Sequence, residues 1–297
     1  MPITHEFEYY KPDNWKEVTA LLEKYKGKAK ILAGGTDLLL KIKDDIETPE
    51  AIIDIKNIPN IDKIQLENNK LFIGAGVTFS QLINSEIIKS ELYLLWEAAK
   101  TVASVGTRNR ATIVGNICSA VPSLDSGPAL LIYEAIINVI SANGQRQIPI
   151  SEWFVAPKKT NIKNNEAVVS IEINKPTKPN GTCYVKLGRY SGEDLAQAGI
   201  GIMISDNYSY KIALCALAPT PKRAHKIEYI LNGNQLSENL INQAKQIIST
   251  EISPITDIRA SKEYRLHMAS VMLERGLNIA LKRYNGEKIE PFNYLGG

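Results

Sequence analysis

The chain has 297 residues, too many for one ordinary domain and suited to two or three. Its 35 basic and 32 acidic side chains leave a net charge of +3, which argues against nucleic acid or an anionic membrane as the main partner. No apolar run is long enough to span a membrane. The acidic start "MPITHEFEYYKP" is no signal peptide, and Cys118, Cys183 and Cys215 are too few and scattered for an iron–sulfur cluster or a disulfide framework. A reducing cytoplasm is the expected compartment. His5, His225 and His267 make no metal-ligand spacing.

The first element is an amphipathic helix over residues 14–26, with Trp15, Val18, Leu21, Leu22 and Tyr25 on one face, Asn14 as N-cap and Gly27 as stop. The strand "AKILA" follows, then the pair Gly34–Gly35, then the helical "DLLLKIKD" and a second strand, "AIIDI". Strand, crossover and strand make a small α/β unit. A glycine pair between strand and helix lets backbone N–H groups approach an anion, and the helix N-terminus adds partial positive charge. Gly34, Gly35 and Thr36 are therefore candidates to hold a phosphate. The alternative is a tight turn in which Thr36 or Asp37 caps the next helix.

From residue 64 a hairpin about Asn68 and Asn69 is followed by a helical stretch over 79–102. The segment 104–131, "SVGTRNRATIVGNICSAVPSLDSGPALL", is rich in Gly, Ser, Thr and Asn and reads as a long irregular, ligand-binding stretch. Arg108 and Arg110 supply charge; Thr112, Gly115 and Asn116 supply a second set of phosphate or sugar contacts. Asp125 either accepts from a ribose hydroxyl or caps the next helix. Two glycine-centred turns about eighty residues apart suit an extended dinucleotide. A helix or strand, a hairpin at "ANGQ" and the strand "EAVVSIEI" complete a second α/β segment. "NKPTKPNG", residues 174–181, is the best domain boundary. Beyond it come three strands, "TCYVKLG", "AQAGIGIMI" and "YKIALCALA". Helices follow near 222–231, 237–250 and 257–284, an α+β pattern. Lys186 sits mid-strand, where a charge usually marks a solvated face, and Arg189, Glu193 and Asp194 read as surface ion pairs.

Taken together, "AGGTDLL", "RNRATIVGNI", "SLDSGPALLIY", "KLGRYSGEDLAQAG", "LAPTPKRAHKIE" and "DIRASKEYRLHM" resemble the FAD-binding medium subunits of the molybdenum hydroxylases, the family of xanthine and carbon monoxide dehydrogenases. The likeness is strongest to bacterial xanthine dehydrogenase FAD-binding subunits and runs in order along nearly the whole chain. It implies an α+β protein: an FAD-binding region of the vanillyl-alcohol-oxidase type over 1–176, in two α/β subdomains (about 1–57 and 58–176), then a C-terminal α+β domain over 180–297. It implies FAD as cofactor, with Ile31, Leu32, Ala33, Gly34, Gly35, Thr36 and Asp37 lining the pyrophosphate on backbone amides. Ala111, Thr112, Ile113, Val114, Gly115 and Asn116 would form the second cradle. Asp125 would contact the adenosine side, Val168 the adenine region and Lys186 the flavin ring edge, where it would tune the flavin without holding the fold.

The implied function is electron transfer within a complex. A molybdopterin large subunit oxidises the substrate, a [2Fe–2S] small subunit relays electrons to this FAD, and NAD or another acceptor removes them. No catalytic side chain and no metal ligand is expected on this chain. Val114 stands where the family usually has a glycine, which keeps open a module that has lost tight FAD binding. Leu195 replaces an aromatic of the carbon monoxide dehydrogenase branch. A self-sufficient FAD oxidase or dehydrogenase is the other alternative.

Overall fold

The structure, a computed structural model, describes residues 3–190 and 194–291. The expectation for Glu193 falls outside them. The first unit is a three-stranded parallel sheet in the order β1-β3-β2, from β1 (Glu8–Tyr10), β2 (Ala29–Leu32) and β3 (Ala51–Asp54). Helix α1 (Trp15–Tyr25) is the crossover. Asn14 caps it by accepting from the Glu17 amide at 2.9 Å, and Lys26 and Gly27 end it in left-handed conformations. The short α2 (Leu38–Lys43) follows the glycine turn. The edge strand β1 carries no periodic apolar signal, so the polar N-terminal stretch conceals it.

The second unit is an antiparallel sheet in the order β4-β5-β10-β6-β7. The hairpin of β4 (Ile64–Glu67) and β5 (Lys70–Gly74) turns on Asn68 and Asn69, both at positive φ, the geometry that asparagine tolerates best. The helical stretch is broken into α3 (Phe79–Asn84), α4 (Glu86–Glu91) and α5 (Tyr93–Lys100). Thr78 caps its start, Ser85 caps α4 and so makes the first break, and the non-helical Leu92 makes the second.

The segment 104–131 is ordered, contrary to the irregular stretch expected. It forms α6 (Val105–Arg108), α7 (Ile113–Ser119) and α8 (Ser126–Ile132). Helices this short bury too few apolar residues to show a helical period, and Ser104 and Thr112 cap two of them. Beyond lie β6 (Ile136–Ser141), β7 (Gly144–Pro149), α9 (Ile150–Trp153) and the hairpin of β8 (Phe154–Ala156) with β9 (Lys159–Thr160). The long β10 (Ala167–Asn174) then crosses the centre of the sheet.

The third sheet is antiparallel, β11-β12-β13-β14: Gly181–Leu187, Ala198–Ser205, Ser209–Cys215 and Lys222–Arg223. Lys222 and Arg223 pair as strand rather than starting a helix, and α10 begins at His225 (His225–Leu231). Helix α11 (Glu238–Glu251) and the long α12 (Lys262–Tyr284) complete the fold. Every residue of β11 is buried because the sheet is covered twice: α12 lies on one face, and α5 and α8 of the preceding region lie on the other. Burial on both faces explains unbroken apolar runs such as "AGIGIMI" in an antiparallel sheet. Among the described residues no helix is long and apolar enough to cross a membrane.

Candidate functional site: a cleft between two backbone cradles

A cleft of about 440 Å³ opens between the first two sheets and reaches the segment that joins β11 to β12. Ile31, Ala33, Gly34, Gly35, Thr36 and Asp37 line it on one side, and Ala111, Thr112, Val114, Gly115 and Asn116 on the other. Asp125, Val168, Asp194 and Leu195 also face it. Leu32 and Ile113 do not. The strand pleat turns Leu32 into a small cluster with Ile42 and Ile52, and Ile113 enters the main core from the first turn of α7.

The two cradles are pressed together. A Cβ on Gly34 would sit 2.0 Å from the Arg110 carbonyl oxygen, so the backbones meet where only glycine fits. Gly35 has φ +79°, and a Cβ there would meet Leu32 at 2.9 Å. The glycine pair is therefore demanded by the protein itself, before any ligand arrives. Residues 77–79 fasten the second cradle: the Phe79 amide donates to Ala111 O at 3.0 Å and the Ile113 amide to Val77 O at 3.2 Å.

Neither aspartate caps its helix by side chain. The Asp37 carboxylate accepts from Ser119 Oγ at 2.5 Å, tying the first turn to the end of α7. Thr112 is the cap of α7, accepting from the Gly115 amide at 3.0 Å. Val114 is buried in the core while still forming part of the wall, so it does not fill the turn. Val168 reaches the cleft where β10 shifts register against β6, between Val168 and Ser170.

Asp125 and Lys186 meet. Lys186 is buried; its Nζ donates to Asp125 Oδ2 at 2.9 Å and to Thr101 O at 2.7 Å. It is neither a solvated lysine nor part of the cleft wall, because Asp125 and the residues after Thr101 stand in front of it. Burial pushes the Asp125 carboxyl up, and Lys186 and Tyr184 oppose that rise. Since the two residues touch, the adenosine side and the ring edge cannot be divided between them. Val102 and Ala103, next to Thr101, share this end of the cleft. Sequence reasoning missed Ser119, Tyr184 and Thr101, whose roles depend on partners far along the chain.

The donor set fits a dinucleotide. The backbone amides of Gly34, Gly35 and Thr36 and the side-chain amide of Asn116 have no acceptor among the described residues. Four free donors across one cleft between two turns suit a pyrophosphate. No group of three or more His, Cys, Asp or Glu able to hold a metal occurs among the described residues.

This architecture suits a dinucleotide held between two cradles, with an appended α+β domain. The family described as "FAD binding domain in molybdopterin dehydrogenase" matches residues 5–176, and the "CO dehydrogenase flavoprotein C-terminal domain" matches residues 183–280. The carbon monoxide dehydrogenase medium chain of Hydrogenophaga pseudoflava is 33% identical over 285 residues, 95% of this chain and 99% of that one. The xanthine dehydrogenase FAD-binding subunit of Escherichia coli O157:H7 is 31% identical, covering 87% of this chain and 91% of that one. The solved Hydrogenophaga pseudoflava carbon monoxide dehydrogenase lacking the Mo-pyranopterin moiety superposes with a TM-score of 0.91 at 34% identity, over 95% of this chain and 99% of that one. The chain belongs to the FAD-binding medium subunits of the molybdenum hydroxylases; it is an oxidoreductase flavoprotein and its cofactor is FAD.

Proposed function

We propose that this chain is the electron-transfer subunit of such a complex. It would receive electrons from [2Fe–2S] clusters on a small subunit, themselves reduced by a molybdopterin large subunit, and deliver them to NAD or another soluble acceptor. The observation that carries the reading is the division of labour in the cleft. Backbone donors suited to a pyrophosphate line one side of it, and a buried, fully paired carboxylate closes one end. When bound, FAD accepts an electron pair and releases it singly or as hydride.

In this reading the Gly34, Gly35 and Thr36 amides hold one side of the pyrophosphate. Ala111, Thr112, Val114, Gly115 and Asn116 form the other side of the cleft, with Asn116 donating from its side chain. The Asp125–Lys186 pair and Leu195 close the seam-side end of the cleft, where the domain of residues 1–176 meets that of 180–297. Val168 closes the other end. Lys186 acts through its carboxylate partner rather than by direct contact.

The test uses the full chain loaded with FAD. We expect NADH to reduce an artificial dye through the bound flavin, and no hydroxylation of xanthine or a related heterocycle. Mixed with its partner subunits, the flavin absorbance should bleach when the substrate of the complex is added. Hydroxylation by the chain alone would replace this reading with a self-sufficient enzyme. A flavin that stays oxidised in the assembled, substrate-reduced complex would remove the electron-transfer role.

A further inference from the structure

Among the described residues Asp125 is the one buried carboxylate on the cleft wall, and both its oxygens are held by side chains of β11. Tyr184 and Lys186 are two residues apart on that strand and so point to the same face. Lys186 takes Oδ2; the Tyr184 hydroxyl donates to Oδ1 at 2.7 Å. Tyr184 is fully buried and is itself fixed at its backbone, where its amide donates to Glu97 Oε2 at 2.6 Å. A Cβ on Gly199 would lie 2.6 Å from the Tyr184 hydroxyl, so the neighbouring strand leaves the phenol little room to turn.

We propose that Tyr184 is a positioning residue for FAD binding, acting through Asp125: its hydroxyl fixes the carboxylate in one orientation and keeps it an acceptor facing the cleft. The inference rests on the FAD cleft described above. A buried carboxylate with one oxygen unpaired can rotate or take up a proton, and either change alters the wall that the cofactor meets. The groups facing Asp125 are Lys186 and Tyr184 from β11, the Thr101 hydroxyl just after α5, and more distantly Cys215 from β13, whose Sγ lies 3.5 Å from the Tyr184 hydroxyl. Of these, Tyr184 and Thr101 are neutral donors, and Tyr184 is the one on Oδ1 at 2.7 Å, so its removal takes a hydrogen bond from the ionised carboxylate without changing the charge count.

The experiment measures the FAD dissociation constant of the deflavinated full chain by flavin fluorescence. Four proteins are compared: wild type, Tyr184→Phe, Asp125→Asn and the double variant. Tyr184→Phe should weaken binding about tenfold, the order of one lost hydrogen bond at a buried site. It should also move the acid-side loss of binding to higher pH. In the Asp125→Asn background the same change should cost clearly less, because no ionised carboxylate remains for the hydroxyl to hold. Cys215→Ala, which touches the hydroxyl but not Asp125, should leave the constant within about twofold. An unchanged constant in Tyr184→Phe, or losses that add in the double variant, overturns the proposal. A lowered apoprotein melting temperature with unchanged affinity also overturns it, in favour of a purely structural tyrosine. If Tyr184→Phe does not fold, 3,5-difluorotyrosine placed at 184 keeps the ring and strengthens the donor. The acid-side midpoint must then move down in pH, and an unmoved midpoint sinks the idea. Failure of the wild type to bind FAD would strike the cofactor reading instead.

Discussion

Two regions meet at the cleft and are built on opposite principles. The cradles around Gly34 and Ala111 are backbone against backbone, with a Cβ at Gly34 excluded by a carbonyl only 2.0 Å away. The seam beneath Asp125 is side chain against side chain. Glu97 of α5 takes Arg283 of α12 at 2.9 Å, Arg283 also donates to Thr182 O at 2.6 Å, and Lys186 takes Asp125. The first cradle presents backbone donors that any sequence could supply, provided no side chain intrudes. The seam depends on the identity of each residue, because a buried ion is tolerated only with its partner in place. Substitutions should therefore act differently in the two places.

The largest effect is expected in the cradle. Gly34→Val places branched carbons into the Arg110 carbonyl, which belongs to a loop fastened to residues 77–79 and cannot yield cheaply. The apoprotein should lose at least about 3 kcal/mol, the scale of overpacking against a rigid neighbour. Denaturant unfolding of the flavin-free protein measures it. A normal apoprotein that merely fails to bind FAD would show that Gly34 serves the ligand and not the fold.

The same contrast explains what was legible in the sequence. The glycine turn announces itself locally, since "AGGT" between an apolar strand and a helical run admits few structures. Asn68–Asn69 and Asn14 are readable for the same reason: each acts within four residues of itself. The seam has no such signature. Glu97 and Arg283 are 186 residues apart, and Tyr184 reads as an ordinary strand aromatic until the fold sets its hydroxyl against Asp125. Lys186 was expected on a solvated face or at a ring edge because alternation cannot reveal a strand covered on both sides. The short helices α6 and α7 escaped for a related reason, their caps lying in a stretch whose composition suggests a loop, whereas the helix after Asp125 was legible.

Lys186→Met should produce the second effect and reverse the expectation that this lysine does not hold the fold. The change leaves Asp125 buried beside Tyr184 with no cation. Breaking a buried pair costs about 3–5 kcal/mol, but Asp125 can escape part of this by taking a proton, so about 2–3 kcal/mol is expected near neutral pH. Burial already raises the Asp125 carboxyl in the folded protein, and loss of Lys186 raises it further. A folded state that holds this proton more tightly than the unfolded state gains stability on acidification. The wild type gains this too once it takes up the proton, so the gap between variant and wild type should narrow only as pH falls from the variant's folded value to the wild type's lower folded value, and stay constant below that. A gap that widens on acidification would mean that Asp125 remains ionised without its partner.

The smallest effect is expected where the seam reaches solvent. Glu134 stands just after α8 and pairs with Lys211 at 2.7 Å and Arg223 at 3.4 Å, both from the third sheet. It bridges the same two regions as the Asp125–Lys186 pair, but its side chain is 64% exposed. Burial opposes ionisation of Glu134, yet the hydrogen bond and charge of Lys211, with help from Arg223, outweigh it and hold the carboxyl below its usual range. Such a lowered value contributes stability that is present above the unfolded carboxylate value and lost as pH falls through the folded one. Exposure screens most of it, so Glu134→Gln should cost only about 0.5 kcal/mol in dilute buffer. The loss should shrink in about 1 M salt, where the Debye length falls to about 3 Å, and should vanish at acid pH. Chemical denaturation with urea, an uncharged denaturant, in low and high salt gives the comparison directly. A cost near that of Lys186→Met, or one indifferent to salt, would show that burial is not what separates the inner pair from the outer one.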